Sequence, residues 1–308
     1  MTDAAPPPAL ARRAAAVTAV GSLVVFVALA AWLVPWDWTP GGGSVEPASA
    51  ADLFRSQQLA RMEEFSTVRR WLGWASNLVS LTVALVLGFT SWGARLVRRV
   101  GRGRRWWLAV PLGVLALLVV GRLATLPFAM AIRQRHFDYG LTRQGWGGWA
   151  VDYGKSLLVA WVLTSLVLLV LVGVARRSPR WWFAWAGGLA AMLVVAGSFL
   201  YPVLVEPVFN RFTPMEPSPF RSSVFELARA EGVQIEDVLV ADASRRTTTL
   251  NAYVSGFGGT RRVVVYDTLL EGLKPAEARV VIAHELSHAK HDDVIVGTVL
   301  GAAGAVLG

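Results

Sequence analysis

Cysteine is absent from this 308-residue chain. That excludes disulfides, a thiol nucleophile and thiolate metal sites, so any bound metal must be held by histidine and carboxylate. Charge is also scarce: Asp, Glu, Lys and Arg together make up 17%, against about 25% in ordinary soluble domains. There are only 4 histidines, and lysine is nearly missing, with 3 residues beside 27 arginines. What fills the gap is apolar. Hydrophobic residues make up 54% and the mean hydropathy is +0.47, which argues against one or two ordinary water-soluble domains and points to membrane spans. The 14 tryptophans are numerous, and several sit at the ends of apolar runs, where amphipathic rings favour the membrane–water interface.

The net charge of +9 is unevenly spread. Residues 1–205 carry 20 basic and 8 acidic side chains, whereas residues 206–308 carry 10 and 13. The basic residues cluster in short loops between apolar runs, which is the pattern of membrane topology signals and not of a nucleic-acid face. No aromatic–basic nucleic-acid motif is present, so no nucleic-acid partner is expected.

Five apolar stretches precede residue 206, at about 14–34, 71–94, 106–132, 156–175 and 181–205. Each meets the roughly 20 residues needed to cross about 30 Å of hydrocarbon. The first follows Arg12 and Arg13 but is longer than a signal-peptide core and is followed by further spans, so it reads as a retained transmembrane helix. In the third stretch Arg122 is costly unless it faces other helices or snorkels, and Pro127 suggests a bend. The loop from Pro35 to Arg70 opens with the flexible run Gly41-Gly42-Gly43, while 51–70 reads as polar helix. Residues 1–205 are therefore expected to form a membrane domain, in a bilayer-embedded, multi-pass protein of the cell membrane.

Polar residues return over 206–293. Ser218 followed by Pro219 is a helix start, and Gly232 marks its end. Val238–Ala241, Thr249–Phe257 and Arg261–Asp267 read as strands, the last two joined at Gly258-Gly259-Thr260. A second helix is predicted from Pro275 to His291. From Val294 the chain is apolar again for 15 residues to Gly308. That is too short to span, and the expectation is the beginning of a sixth transmembrane helix, truncated.

The chemistry-bearing motif is His284-Glu285-Leu286-Ser287-His288. On a helix, residues four apart share a face, so both imidazoles can reach one Zn²⁺, with Glu285 placed to act on a metal-activated water as general base. From the chain's own histidine and glutamate frequencies, chance produces such a pattern about 0.002 times. Coincidence is therefore a poor rival to a zinc endopeptidase reading. His291 lies near the same face, but three ligands from consecutive turns stand nearly in a row, so it reads as a helix-end histidine. Asp292 and Asp293 read as marking the helix end.

The motifs together resemble the integral-membrane CAAX prenyl endoproteases (type 1) and their bacterial relatives, multi-spanning zinc metallopeptidases of the gluzincin kind. The resemblance rests on Phe209-Asn210-Arg211-Phe212-Thr213-Pro214, Asp242-x-Ser244-Arg245-Arg246, Asn251-Ala252-Tyr253, Gly256, the run Arg262 to Leu270 and the HELSH helix. The Leu123 to Phe137 region also looks like the family's exit from the third span. It implies a mostly α fold, a multi-spanning transmembrane helix bundle with a small α+β zincin-like metalloprotease domain over 206–293. It implies one Zn²⁺ per chain on His284 and His288, Glu285 as general base, and a substrate-binding strand carrying Asn251, Ala252 and Tyr253. The family's third ligand is a downstream Glu, which would lie beyond residue 308, so the stretch to Gly308 is expected to bind zinc weakly. Prenylation of CAAX proteins is mainly eukaryotic, whereas 27 Arg to 3 Lys in an Ala-, Val- and Gly-rich chain suggests a GC-rich bacterial genome. The expected substrate is therefore a peptide or membrane protein, prenylated or not.

Arg12, Arg13, the six arginines within 95–105, and Arg176, Arg177 and Arg180 fall on one side of the predicted membrane. The positive-inside rule makes that side cytoplasmic and puts 206–293 opposite. The resemblance implies a cytoplasmic catalytic domain, so the side stays open at this stage, as does the oligomeric state. Two other readings accompany the protease: a catalytically silent zinc- or client-binding membrane protein, against which the intact Glu285 argues, and a transporter, for which no inverted repeat is evident.

Overall fold

The computed structural model describes residues 9–34, 36, 49–179 and 181–307. The Gly41-Gly42-Gly43 run, Arg180 and Gly308 lie outside the described residues. In chain order the helices are α1 (Ala9–Leu33), α2 (Ala50–Leu53), α3 (Ser56–Phe89), α4 (Ser91–Gly101), α5 (Trp106–Asp138), α6 (Trp146–Arg177), α7 (Trp182–Leu200), α8 (Glu206–Phe209), α9 (Pro219–Ala230), α10 (Asp267–Gly272), α11 (Pro275–Lys290) and α12 (Asp293–Leu307). The strands are β1 (Phe212–Pro214), β2 (Asp237–Ala241), β3 (Ala252–Ser255) and β4 (Arg262–Tyr266). Among the described residues, five helical stretches are long and apolar enough to cross a membrane: Ala16–Leu33, Ser56–Phe89, Trp106–Asp138, Trp146–Arg177 and Trp182–Phe209.

Several bounds differ from the sequence reading. The 71–94 stretch is broken at Thr90, whose hydroxyl caps the next helix by accepting from the Trp92 N–H, so α4 is a separate helix. The third span runs unbroken past Arg122 and Pro127 to Asp138. The fifth ends at Leu200 and continues through a wider turn over Tyr201–Val205, where Pro202 cannot continue the regular ladder. The strand expected over 249–257 is only Ala252–Ser255, and β1 and α10 were not anticipated.

The chain forms two compact units. One contains 1–36, 170–243 and 250–308; the other contains 37–169 and 244–249.

In the second unit α5 packs on α3 and α4. Arg122 is neither bare nor ion-paired among the described residues. Its guanidinium stacks 4.9 Å from the centre of the Tyr153 ring, and the Tyr153 hydroxyl donates to the Arg122 carbonyl at 3.2 Å. The Trp161 indole N–H donates to the Pro111 carbonyl at 2.8 Å, tying α6 to α5. Residues 244–249 are clamped onto the turn after α5: Thr248 donates from its backbone to the Leu141 carbonyl at 3.1 Å and from its hydroxyl to the Gly140 carbonyl at 2.7 Å.

In the first unit α12 packs on α7 and α1 through small residues. A Cβ at Gly301 would lie 3.2 Å from Val194, and Thr298 donates to the Ser198 hydroxyl at 2.7 Å, the close-approach chemistry of helix pairs in lipid. The same unit holds a mixed four-stranded sheet in the order β1-β2-β4-β3. β2 and β4 are parallel, while β1 and β3 run antiparallel to their neighbours. Ser218 caps α9 by accepting from the Arg221 N–H at 3.1 Å. The core gathers Val224 and Ala228 of α9, Val238, Val263 and Val265 of the sheet, Leu269, and Ala278, Ile282 and Leu286 of α11.

The β3–β4 hairpin turns on Gly256, at φ +90°. A Cβ there would lie 2.3 Å from the Thr260 carbonyl oxygen, so both conformation and space demand glycine. Gly256→Ala is expected to destabilise the sheet-bearing unit by about 1–3 kcal/mol, read as a lowered Tm in detergent micelles; a wild-type Tm would show that the turn tolerates a side chain.

Candidate metal centre

Helix α11 begins with Pro275 in its first turn, and the Glu277 carboxylate accepts the Lys274 backbone N–H at 2.9 Å. Ala278, Ile282 and Leu286, spaced four apart, are buried against the core. That stripe sets the rotation of the helix and leaves His284, Glu285 and His288 on the uncovered side. The two imidazoles meet edge to face, with Nε2 to Nε2 at 3.2 Å. Two nitrogens bound tetrahedrally to one zinc at 2.0–2.1 Å stand about 3.3 Å apart. The observed pair therefore has the spacing such an ion requires, from donors of the right chemistry.

The His288 Nδ1 lies 2.6 Å from Oδ2 of Asp293. A carboxylate only accepts, so Nδ1 carries the proton and Nε2 the lone pair. His291 caps the end of α11, and its Nδ1 bonds to the Ser287 carbonyl at 2.8 Å. Asp292 takes a left-handed conformation, φ 54°, directly after the helix. Its carboxylate accepts from Arg261 at 2.7 Å. Among the described residues no group of three histidines or carboxylates is close enough to hold a metal; the convergent donors are the pair His284 and His288.

A cleft of about 400 Å³ lies beside this pair, lined by Tyr253, Val254, Phe257, Glu285, His288 and Asp293 among others. β3 is an edge strand, with β4 as its one partner among the described residues. The Tyr266 N–H donates to the Asn251 carbonyl at 3.0 Å. By the alternation of an antiparallel ladder, Tyr253 and Ser255 then bond to β4, and the backbone groups of Ala252 and Val254 point to the free edge. Of the residues expected at the substrate strand, Tyr253 lines the cleft; Asn251 and Ala252 stand earlier along the chain, and the Ala252 side chain is buried. Val254 also lines the cleft, and the ladder register turns its backbone groups to the free edge; sequence reasoning missed Asp293 as a partner of His288.

The geometry is that of a multi-spanning membrane protein with an H-E-x-x-H helix lying over an open-edged sheet. Peptidase family M48 matches residues 218–307, and the CAAX prenyl protease N-terminal region, five membrane helices, matches residues 43–211. The chain belongs to the CAAX prenyl protease-like branch of the M48 peptidase family, whose members carry a metal cofactor, and it is a multi-pass membrane protein. It is 28% identical over 265 residues to an uncharacterized metalloprotease, YhfN, of Bacillus subtilis, covering 83% of this chain and 60% of that one. It is 28% identical over 148 residues to CAAX prenyl protease 1 of Saccharomyces cerevisiae, covering 48% of this chain and 33% of the yeast protein. The crystal structure of S. mikatae Ste24p superposes with a TM-score of 0.75 at 20% identity, over 94% of this chain and 69% of that one, which shows a shared fold. The chain thus spans about 60% of the first and a third of the second of these curated relatives.

Tyr253 donates from its hydroxyl to Glu206 at 2.9 Å. Burial, with the Glu206 charge beside it, pushes its phenol up from the ordinary 10.0. A raised pKa in the folded state contributes stability that is complete below pH 10.0 and is lost as pH rises beyond it. The Tm of the wild type is therefore expected to fall more steeply above pH 10.0 than that of Tyr253→Phe; parallel slopes in a pH series of thermal melts would remove Tyr253 as the cause.

Proposed function

We propose that the protein is a membrane-embedded zinc endopeptidase that hydrolyses peptide bonds in extended segments of peptides or membrane proteins, in the manner of its CAAX protease relatives. The observation that carries this reading is the 3.2 Å approach of His284 and His288 Nε2 beside Glu285, at a cleft that also contains β3. His284 and His288 would hold one Zn²⁺ per chain. When bound, the ion supplies Lewis acidity that polarises a carbonyl and acidifies water. Glu285 adjoins the pair in sequence, lines the cleft, and takes the proton of the attacking water as general base. The free edge of β3 offers the Val254 backbone groups to an extended substrate, which gains register from main-chain hydrogen bonds. The domain division that goes with this reading is a membrane region over 1–205, a peptidase region over 206–293 and a further apolar helix from 294.

Glu285→Gln should retain metal and lose hydrolysis by about 10²–10⁴-fold. Wild-type turnover by a metal-replete variant would end the assignment. Val254→Pro removes an N–H from the free edge of β3 without breaking its ladder with β4. It should raise KM about 2- to 10-fold, the worth of one backbone hydrogen bond, at unchanged metal content. Kinetics identical to wild type would take the substrate off that edge.

A further inference from the structure

We infer that Asp293 is a positioning residue for the metal site: its carboxylate fixes the tautomer and ring orientation of His288 so that Nε2 is presented to the metal. The inference rests on the zinc reading of the His284–His288 pair and adds a residue to it. Asp293 lies outside the H-E-x-x-H helix, as the first residue of α12. The chain returns it to His288 by a single left-handed residue, Asp292 at φ 54°. Asp and Asn are the non-glycine residues that most readily adopt this conformation, and the Asp292 carboxylate is in turn held by Arg261 from the β3–β4 hairpin at 2.7 Å. The turn thereby delivers Oδ2 of Asp293 to Nδ1 of His288 at 2.6 Å, the length of a charge-assisted bond.

The two ligand histidines are not treated alike. His288 has a carboxylate on Nδ1, whereas no such partner is recorded for His284 among the described residues, whose ring meets His288 through Nε2. About half of each side chain of the His288–Asp293 pair is exposed, so burial does not hold the His288 ring in place. Left free, that ring would divide between two tautomers and several orientations. A carboxylate on the distal nitrogen removes that freedom and raises ligand basicity, and losing such a partner weakens metal binding about 10–100-fold.

Asp293 also begins α12, and a purely structural role there must be separated from positioning. Asp293→Asn keeps the size and shape of the side chain and removes the charged acceptor. In the detergent-solubilised protein, Zn²⁺ and Co²⁺ affinities would be measured by competition with a chromophoric chelator, alongside the visible cobalt spectrum and the helix content by circular dichroism. Asp293→Asn should keep wild-type helix content, weaken both metals about 10–100-fold and alter the cobalt bands; Asp293→Glu should recover part of the affinity. In a His288→Ala background Asp293→Asn should cause no further loss, because the residue acts through that ring. Wild-type affinity and spectrum in Asp293→Asn, or an equal further loss in the His288→Ala background, would overturn the positioning role. Unchanged metal affinity in His284→Ala and His288→Ala would instead overturn the underlying zinc reading.

Discussion

Everything at the candidate centre depends on the burial of one stripe of α11. Ala278, Ile282 and Leu286 are essentially inaccessible to solvent and pack with Val224, Val238, Val263 and Leu269. Truncating one such buried leucine or isoleucine costs about 2–5 kcal/mol. The energy is thus concentrated on the face of the helix that carries no chemistry. Once that face is committed to the sheet, the helical repeat leaves no choice about where His284, Glu285 and His288 go. A half-exposed pair of imidazoles can then be held accurately by contacts made on the other side of its helix.

The sheet serves the same end from the other direction. Its interior strands β2 and β4 are parallel, and the middle of β4 is buried. β3 is added antiparallel at the rim, by a hairpin that only glycine at 256 can close. The outcome is an unpaired strand edge, ordinarily a liability that proteins cover or blunt. Here it borders the cleft that holds Glu285 and His288, and it can receive another strand. Arg261, just before β4, grips Asp292 after α11, so the hairpin and the end of α11 are joined by an ion pair.

In the unit containing α3 to α5, several polar groups of the apolar helices are answered locally. Arg122 stacks on Tyr153, the Pro111 carbonyl receives an indole N–H, and the Thr125 hydroxyl returns to the Gly121 carbonyl at 3.0 Å. Without water as a partner, each such group must find one within the protein. α5 continues unbroken through the arginine and proline that interrupt its hydropathy.

The sequence by itself determined the presence of the five spans, the α9 start at Ser218 and the H-E-x-x-H helix with His284, Glu285 and His288. Each of these is a local property: a run of apolar residues, a cap, or a spacing of four on a helix. The sequence left undecided whatever depends on residues meeting across the chain. The break at Thr90, the short strand β1 and the register of β3 on β4 come from capping and ladder pairing, which hydropathy does not record. Asp293 is the clearest case. It sits five positions beyond His288 and past the end of the helix, so helical spacing places it on no face at all. Only the left-handed turn at Asp292 brings its carboxylate back to the His288 ring, and tertiary structure decided that by closing a loop between two helices.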